Sequence, residues 1–146
     1  MNIDLIEYDD RYVESAITMW RASKHHALGI ADQHDLDSYR YFLTEILVPD
    51  FTVQFARETS TGQIIGIFVF NATEINQLYI HPDYQRQRIG SQFIQRAKDL
   101  CTTTLELNTF EQNLNARHFY EKHGFEIIGG DSKNEEGLPD LRYRWG

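Results

Sequence analysis

The spacing of apolar residues changes several times along the chain, and each change marks an element. Ile3, Leu5 and Tyr8 predict a short first strand. Val13, Ile17 and Trp20 then fall at helical spacing, with Asp9 or Asp10 as N-cap. The polar stretch Ser23–Asp35, which carries Gly29, predicts a loop. Leu36, Tyr39, Leu43, Ile46 and Leu47 predict a second helix that Pro49 ends. Phe51, Val53 and Phe55 alternate as in a strand, Thr59–Gly62 has turn chemistry, and 63–71 is a β-branched apolar run, so these form a hairpin. A further strand over Ile75–Ile80 is halted by His81-Pro82-Asp83, and a helix runs from about Gly90 to Cys101. Thr103–Leu107 predicts a strand, Asn113–His123 a helix stopped by Gly124, and Phe125–Ile128 and Leu141–Trp145 two closing strands. The order βααβββαβαββ implies an α/β (α+β) fold. It would be one mixed sheet of about seven strands, covered by helices on both faces, with a parallel pair around the central helix.

Composition narrows the class. The chain has 146 residues, 41% hydrophobic and 25% charged, with no repeat or linker, which predicts a single domain over 1–146. Its longest apolar run, Ile64–Phe70, is too short to span a bilayer, and the acidic N-terminus lacks the pattern of a signal peptide. A cytoplasmic protein with no membrane partner is expected. One cysteine, Cys101, excludes an intrachain disulfide and a cysteine-based zinc site, and is expected to be a buried small apolar residue. His25, His26 and His34 match no metal-ligand spacing, so no metal is expected.

The net charge of −8 argues against nucleic acid as a partner, because phosphate contacts dominate that affinity. Charge is unevenly spread. Residues 1–50 hold four bases and ten acids, whereas 85–98 hold Arg86, Arg88, Arg96 and Lys98 and no acid. A basic island in an acidic chain suggests an anionic ligand; a solvated helix face is the plainer alternative. The island begins where a buried strand enters a loop that opens a helix, 78–91. There the first helical N–H groups lack intrahelical partners, the helix dipole favours an anion, and Gly90 allows close approach to the backbone. The pattern is neither a P-loop nor a dinucleotide fingerprint.

This segment resembles the pyrophosphate loop of the GNAT superfamily, the acyl-CoA-dependent N-acyltransferases, which reads Gln/Arg-x-x-Gly-x-Gly/Ala. Gln85, Gly90 and the following small Ser91 match, whereas Arg88 replaces the first glycine. That replacement implies that residue 88 need not have positive φ, its side chain meeting a phosphate or lying over the adenosine. The stretch from Asn113 to Phe125, N-L-N-A-R-H-F-Y-E-K-H-G-F, resembles the Asn-x-x-Ala-x-x-Phe-Tyr-Glu-Lys-x-Gly-Phe helix of the same enzymes. The resemblance covers about Phe51–Trp145, and the first 50 residues match only in pattern.

The resemblance implies a splayed sheet and acetyl-CoA as cosubstrate. The backbone of Leu78, Tyr79 and Ile80 would meet the pantetheine arm. Gln85, Arg86, Gln87, Arg88, Ile89, Gly90 and Ser91 would wrap the pyrophosphate, and Asn113 would bond the pantetheine side. Tyr120 would be the general acid near the sulfur and Glu74 the general base. The plainer alternatives are a core aromatic for Tyr120 and a solvated carboxylate for Glu74. Both the loop between the first two helices and the acidic loop 131–140 would border the acceptor groove. Asp32, Asp35, Asp37, Glu135 and Glu136 there predict a cationic acceptor. The expected activity is acetyl transfer to a primary amine in a ternary complex. A protein lysine or N-terminal acceptor, and a non-catalytic acyl-CoA-binding module, are the alternatives. Oligomeric state, monomer or homodimer, is left open.

Overall fold

The computed structural model describes residues 2–29, 33–85, 87–131 and 133–146. Two of the residues singled out above, Asp32 and Arg86, lie outside the described residues.

The sheet is built around β3 (Ile64–Phe70), whose seven residues are all buried. A strand so apolar on both faces needs cover on both, and the chain supplies it. β1 (Ile3–Glu7), β2 (Thr52–Glu58), β3 and β4 (Ile75–Ile80) pair in that order, all antiparallel. A second sheet pairs β5 (Leu105–Phe110), β7 (Asp140–Trp145) and β6 (Glu126–Gly129), with β7 in the middle. One face packs against α1 (Val13–Leu28) and α2 (Leu36–Tyr41), with Ile17, Trp20, Tyr39 and Leu43 against Phe55, Ile67 and Val69. The other packs against α3 (Ile89–Leu100) and α4 (Leu114–Lys122), with Phe93, Ile94, Ala97 and Tyr120 against Phe68, Phe70, Leu105 and Tyr143. No helix among the described residues is long and apolar enough to cross a membrane.

The element order is the one the periodicity predicts, with four local corrections. Ser23–Leu28, expected as loop, continues α1; its polar residues alternate with buried Ser23 and Leu28 on a helix that Gly29 ends in the left-handed conformation, φ 69°. Pro49 does not end the second helix. After α2 the helix passes through a π turn at Phe42–Leu47 and finishes as an α turn at Val48–Asp50. Proline has no N–H and crowds the carbonyl four residues back, and the wider turn upstream accommodates it. β5 starts two residues later than expected and runs to Phe110. Cys101 is half-buried rather than buried.

The splay that the resemblance implies falls within the parallel pair. Among the described residues only a bridge between Glu74 and Glu106 joins the two sheets, with the Glu106 N–H donating to the Thr73 carbonyl at 3.0 Å. Beyond it β4 and β5 share no ladder bond among the described residues, so their C-terminal ends border an open cleft. A second irregularity sits beside the junction. Val69 pairs with Gln77 and Phe70 with Ile75, which leaves Asn76 as an extra, unopposed residue in a β-bulge.

Candidate active site

The cleft has an unpaired strand edge on each side, formed on one side by Leu78–Ile80. Unpaired edges present N–H and C=O groups that an extended amide chain can complete. At its mouth lies the turn from β4 into α3. The His81 N–H donates to the Ile65 carbonyl at 2.7 Å, and the Gln85 side chain donates to the Ile80 carbonyl at 3.1 Å, so the end of β4 is pinned. Gln85 therefore steadies the turn through its side chain. The main-chain N–H groups of Gln87, Arg88, Ile89 and Ser91 donate to no described group; the first bond of the helix comes from Gln92, to the Arg88 carbonyl at 3.1 Å. These N–H groups and the helix dipole form a cradle suited to a pyrophosphate.

One reading of this turn changes, and two others gain a packing context. Arg88 does take a positive φ, 66°, the one non-glycine described residue to do so. The backbone keeps the conformation that glycine serves, and the arginine bears a strain of about 1–2 kcal/mol. Gly90 is closely packed: a Cβ there would sit 3.0 Å from the Phe119 ring of α4, which would have to shift by a few tenths of an ångström. The Ser91 hydroxyl is held by His123 Nε2 at 3.0 Å, which leaves its main-chain N–H for an anion. Burial, with Lys98 and Lys122 nearby, lowers the His123 pKa and keeps that imidazole neutral.

The basic island also divides. Arg96 donates to the side-chain Oε1 of Gln54 at 2.9 Å, and Gln54 Nε2 to Glu7 at 2.8 Å, tying α3 to β1 and β2. Lys98 donates to the His123 carbonyl at 2.6 Å and lies 4.7 Å from the Trp145 ring centre. Neither faces the turn as a free charge. Exposed Arg88 is the described cation left to it.

Tyr120 lies on α4 within the core cluster and is 6% exposed. Its ring stands edge-on to Phe119 and Phe125, and its hydroxyl makes no hydrogen bond to a described residue. Burial, reinforced by the Tyr79 phenol on β4, pushes its pKa far up. The phenol is thus protonated, and it feels the Tyr79 phenol of the strand that edges the cleft. Asn113 caps α4, its side-chain oxygen accepting from the Ala116 N–H at 3.3 Å, and only its amide N–H groups are left for a ligand. Glu74 sits at the junction itself, half-buried, and accepts from the Asn76 amide at 3.1 Å.

Of the acids expected to line the acceptor groove, the four described ones have partners. Glu136 pairs with Lys24 at 2.8 Å and Glu135 with His34 at 2.6 Å. Asp35 caps α2 through the Ser38 N–H, and Asp37 pairs with Arg40. Gln33 donates to the Glu135 carbonyl and Arg21 to that of His34, so the two bordering loops clasp each other. Sequence reasoning missed this clasp, the bulge at Asn76, and the side chains of Asn76 and Gln77 beside Glu74. The pairing that creates them is non-local. The only local signal was a polar Asn-Gln pair inside a strand.

Comparison with known proteins agrees with this architecture. Residues 49–127 match the acetyltransferase (GNAT) domain family. The chain is 30% identical over 131 residues to the peptidyl-lysine N-acetyltransferase YjaB of Salmonella typhimurium, covering 86% of this chain and 85% of that protein. Its fold matches the solution structure of apo YjaB from Escherichia coli with a TM-score of 0.78 at 21% identity, covering 99% and 98% of the two chains. It also matches the PaiA N-acetyltransferase of Thermoplasma acidophilum in complex with coenzyme A, with a TM-score of 0.75 at 21% identity and the same coverage. With the splayed sheet, the anion-binding turn and both sequence segments in their expected elements, the chain belongs to the GNAT family of acetyl-CoA-dependent N-acetyltransferases.

Proposed function

We propose that this enzyme acetylates the side-chain amine of a peptidyl lysine, by direct transfer from acetyl-CoA in a ternary complex. The observation that carries the reading is the protonated, unbonded Tyr120 phenol beside the open β4 edge. The named activity of the Salmonella relative supports lysine as acceptor.

The N–H groups at the start of α3, with Arg88, would hold the pyrophosphate, and Leu78–Ile80 and Asn113 the pantetheine arm. Glu74, directly or through water, would take a proton from the lysine ammonium. The neutral amine then forms the C–N bond at the thioester carbon. Main-chain N–H groups at the β4 edge would stabilise the oxyanion as the C–S bond breaks. Tyr120 would give its proton to the departing thiolate and recover one from the amine's second proton. No nucleophilic side chain is used.

The test is release of free thiol from acetyl-CoA with a panel of amines: a lysine peptide with a blocked N-terminus, a peptide with a free N-terminus and no lysine, and small diamines. The blocked lysine peptide is expected to be turned over fastest. Turnover confined to the free N-terminus or to the diamines would reassign the acceptor. Thiol release from none of them would make the chain an acyl-CoA-binding module.

A further inference from the structure

The bulge in β4 gathers three polar side chains that a regular strand would have separated. Directly opposed residues of an antiparallel pair place their side chains on the same face. Gln77 opposes Val69 and Tyr79 opposes Ile67, and both partners belong to the cluster under α1 and α2. Gln77 therefore lies on the α1 side of β4, opposite the core that holds Tyr120. The extra residue brings Asn76 to the same side. Gln77 Nε2 donates to Asn76 Oδ1 at 3.2 Å, and Asn76 Nδ2 donates to Glu74 Oε1 at 3.1 Å. All three are half-buried. On the neighbouring strand Glu106 alternates with the buried Leu105 and Leu107, and its charge is met by Arg142 at 2.9 Å.

The direction of this chain of bonds is dictated by chemistry. A carboxylate only accepts, so Asn76 must turn its NH₂ to Glu74 and its carbonyl to Gln77. Gln77 must answer with its own NH₂. Its carbonyl oxygen is then left as the outer end of the chain, and it accepts from no described residue. Hydrogen bonds in series polarise one another, so an anion at one end makes the acceptor at the other end stronger. An outward oxygen of this kind, beside a carboxylate and on the opposite face from the proposed proton donor, suits a group with several N–H donors and a positive charge.

We propose that Gln77 recognises the acceptor, its side-chain oxygen taking one N–H of the acceptor's primary ammonium beside Glu74, and that Asn76 is the positioning residue that holds both side chains. The inference rests on the functional reading above and deepens it, by naming the side chain that reads the amine. It leaves acetyl-CoA binding to the opposite face.

Steady-state kinetics on the full chain decide it, with acetyl-CoA and the N-terminally blocked lysine peptide as substrates. Gln77→Met keeps the length of the side chain and removes both its donor and its acceptor. The KM for the peptide should rise roughly tenfold or more, the scale of a lost hydrogen bond to a charged group. The KM for acetyl-CoA should stay within about twofold, because the cosubstrate does not touch this side chain. Should Gln77→Met not fold, Gln77→Asn keeps the amide but withdraws it by one methylene, and the same rise is expected. An unchanged peptide KM in a folded variant, or equal changes in both KM values, overturns the inference and leaves the functional reading intact. A wild-type chain that acetylates no amine overturns both.

Discussion

The turn Gln85–Ser91 and the clasp between Gln33–His34 and Glu135–Glu136 are both polar loops flanking the cleft, yet they treat their polar groups in opposite ways. In the turn, backbone N–H groups and an exposed arginine have no described partner. In the clasp, Lys24 pairs with Glu136, and His34 is hydrogen-bonded to Glu135. Ligands bind where a fold leaves donors and charges uncompensated. Charges already paired contribute little field beyond their pair. The expectation of a cationic acceptor drawn to an acidic groove rested on counting acids. As proposed above, that role falls to the polar strip on β4 instead of the loops.

The same contrast separates two tyrosines whose rings lie 6.3 Å apart in one core. Tyr143 donates to Glu121 at 2.6 Å and accepts from Arg117 at 3.4 Å, whereas Tyr120 bonds no described group. Tyr120→Phe should therefore give the largest effect. It should lower kcat by about 10²- to 10⁴-fold, with acetyl-CoA affinity and melting temperature nearly unchanged. Tyr143→Phe should do the reverse, costing about 1 kcal/mol of stability through the lost hydrogen bond to Glu121, with kcat near wild type. A kcat within a few-fold of wild type in Tyr120→Phe would return that residue to the core and remove the contrast.

Gly90→Val tests whether the turn is shaped by its ligand or by packing. The added side chain meets Phe119, so a stability loss of about 1–3 kcal/mol is expected from a melting curve. A variant that melts like wild type but no longer binds acetyl-CoA in a calorimeter would restore close phosphate approach as the reason for glycine.

Arg88→Gly sharpens the comparison from the other side. Glycine relieves the left-handed strain, which favours the folded state by about 1 kcal/mol and is partly offset by the greater entropy of the unfolded chain. Removal of the cation should weaken acetyl-CoA binding several-fold, read as KM and by titration. Tighter binding in this variant would show that the arginine obstructs the cradle.

The smallest effect is expected at the clasp. Glu136→Gln breaks the pair with Lys24, and a loss of about 1 kcal/mol or less should appear in the melting temperature. The KM for a lysine peptide should move by less than about twofold. A large rise in that KM at unchanged stability would mean that the loop acids face the acceptor after all.

Much was legible in the linear sequence, because much of it is local. The period of apolar residues set the seven strands and the helical faces, and Gly124 marked a helix end through a conformation other residues avoid. The Asn113–Phe125 segment identified the family because one helix and its caps carry the pattern within 13 consecutive residues. Boundaries failed where a local signal was outweighed. Polar Ser23–Leu28 stayed helical because one face still packs, and Pro49 was absorbed by a wider turn.

What the linear sequence left undetermined depends on residues far apart in the chain. The bulge at Asn76 exists only as a mismatch between β3 and β4, and the cleft only as the failure of β4 and β5 to pair beyond Glu74 and Glu106. Whether Arg96 and Lys98 serve a ligand or the framework was decided by Gln54 and His123, 42 and 25 residues away. Charge and hydrogen-bonding capacity are written in the sequence residue by residue, but tertiary structure alone assigns the partners and leaves a few groups without one.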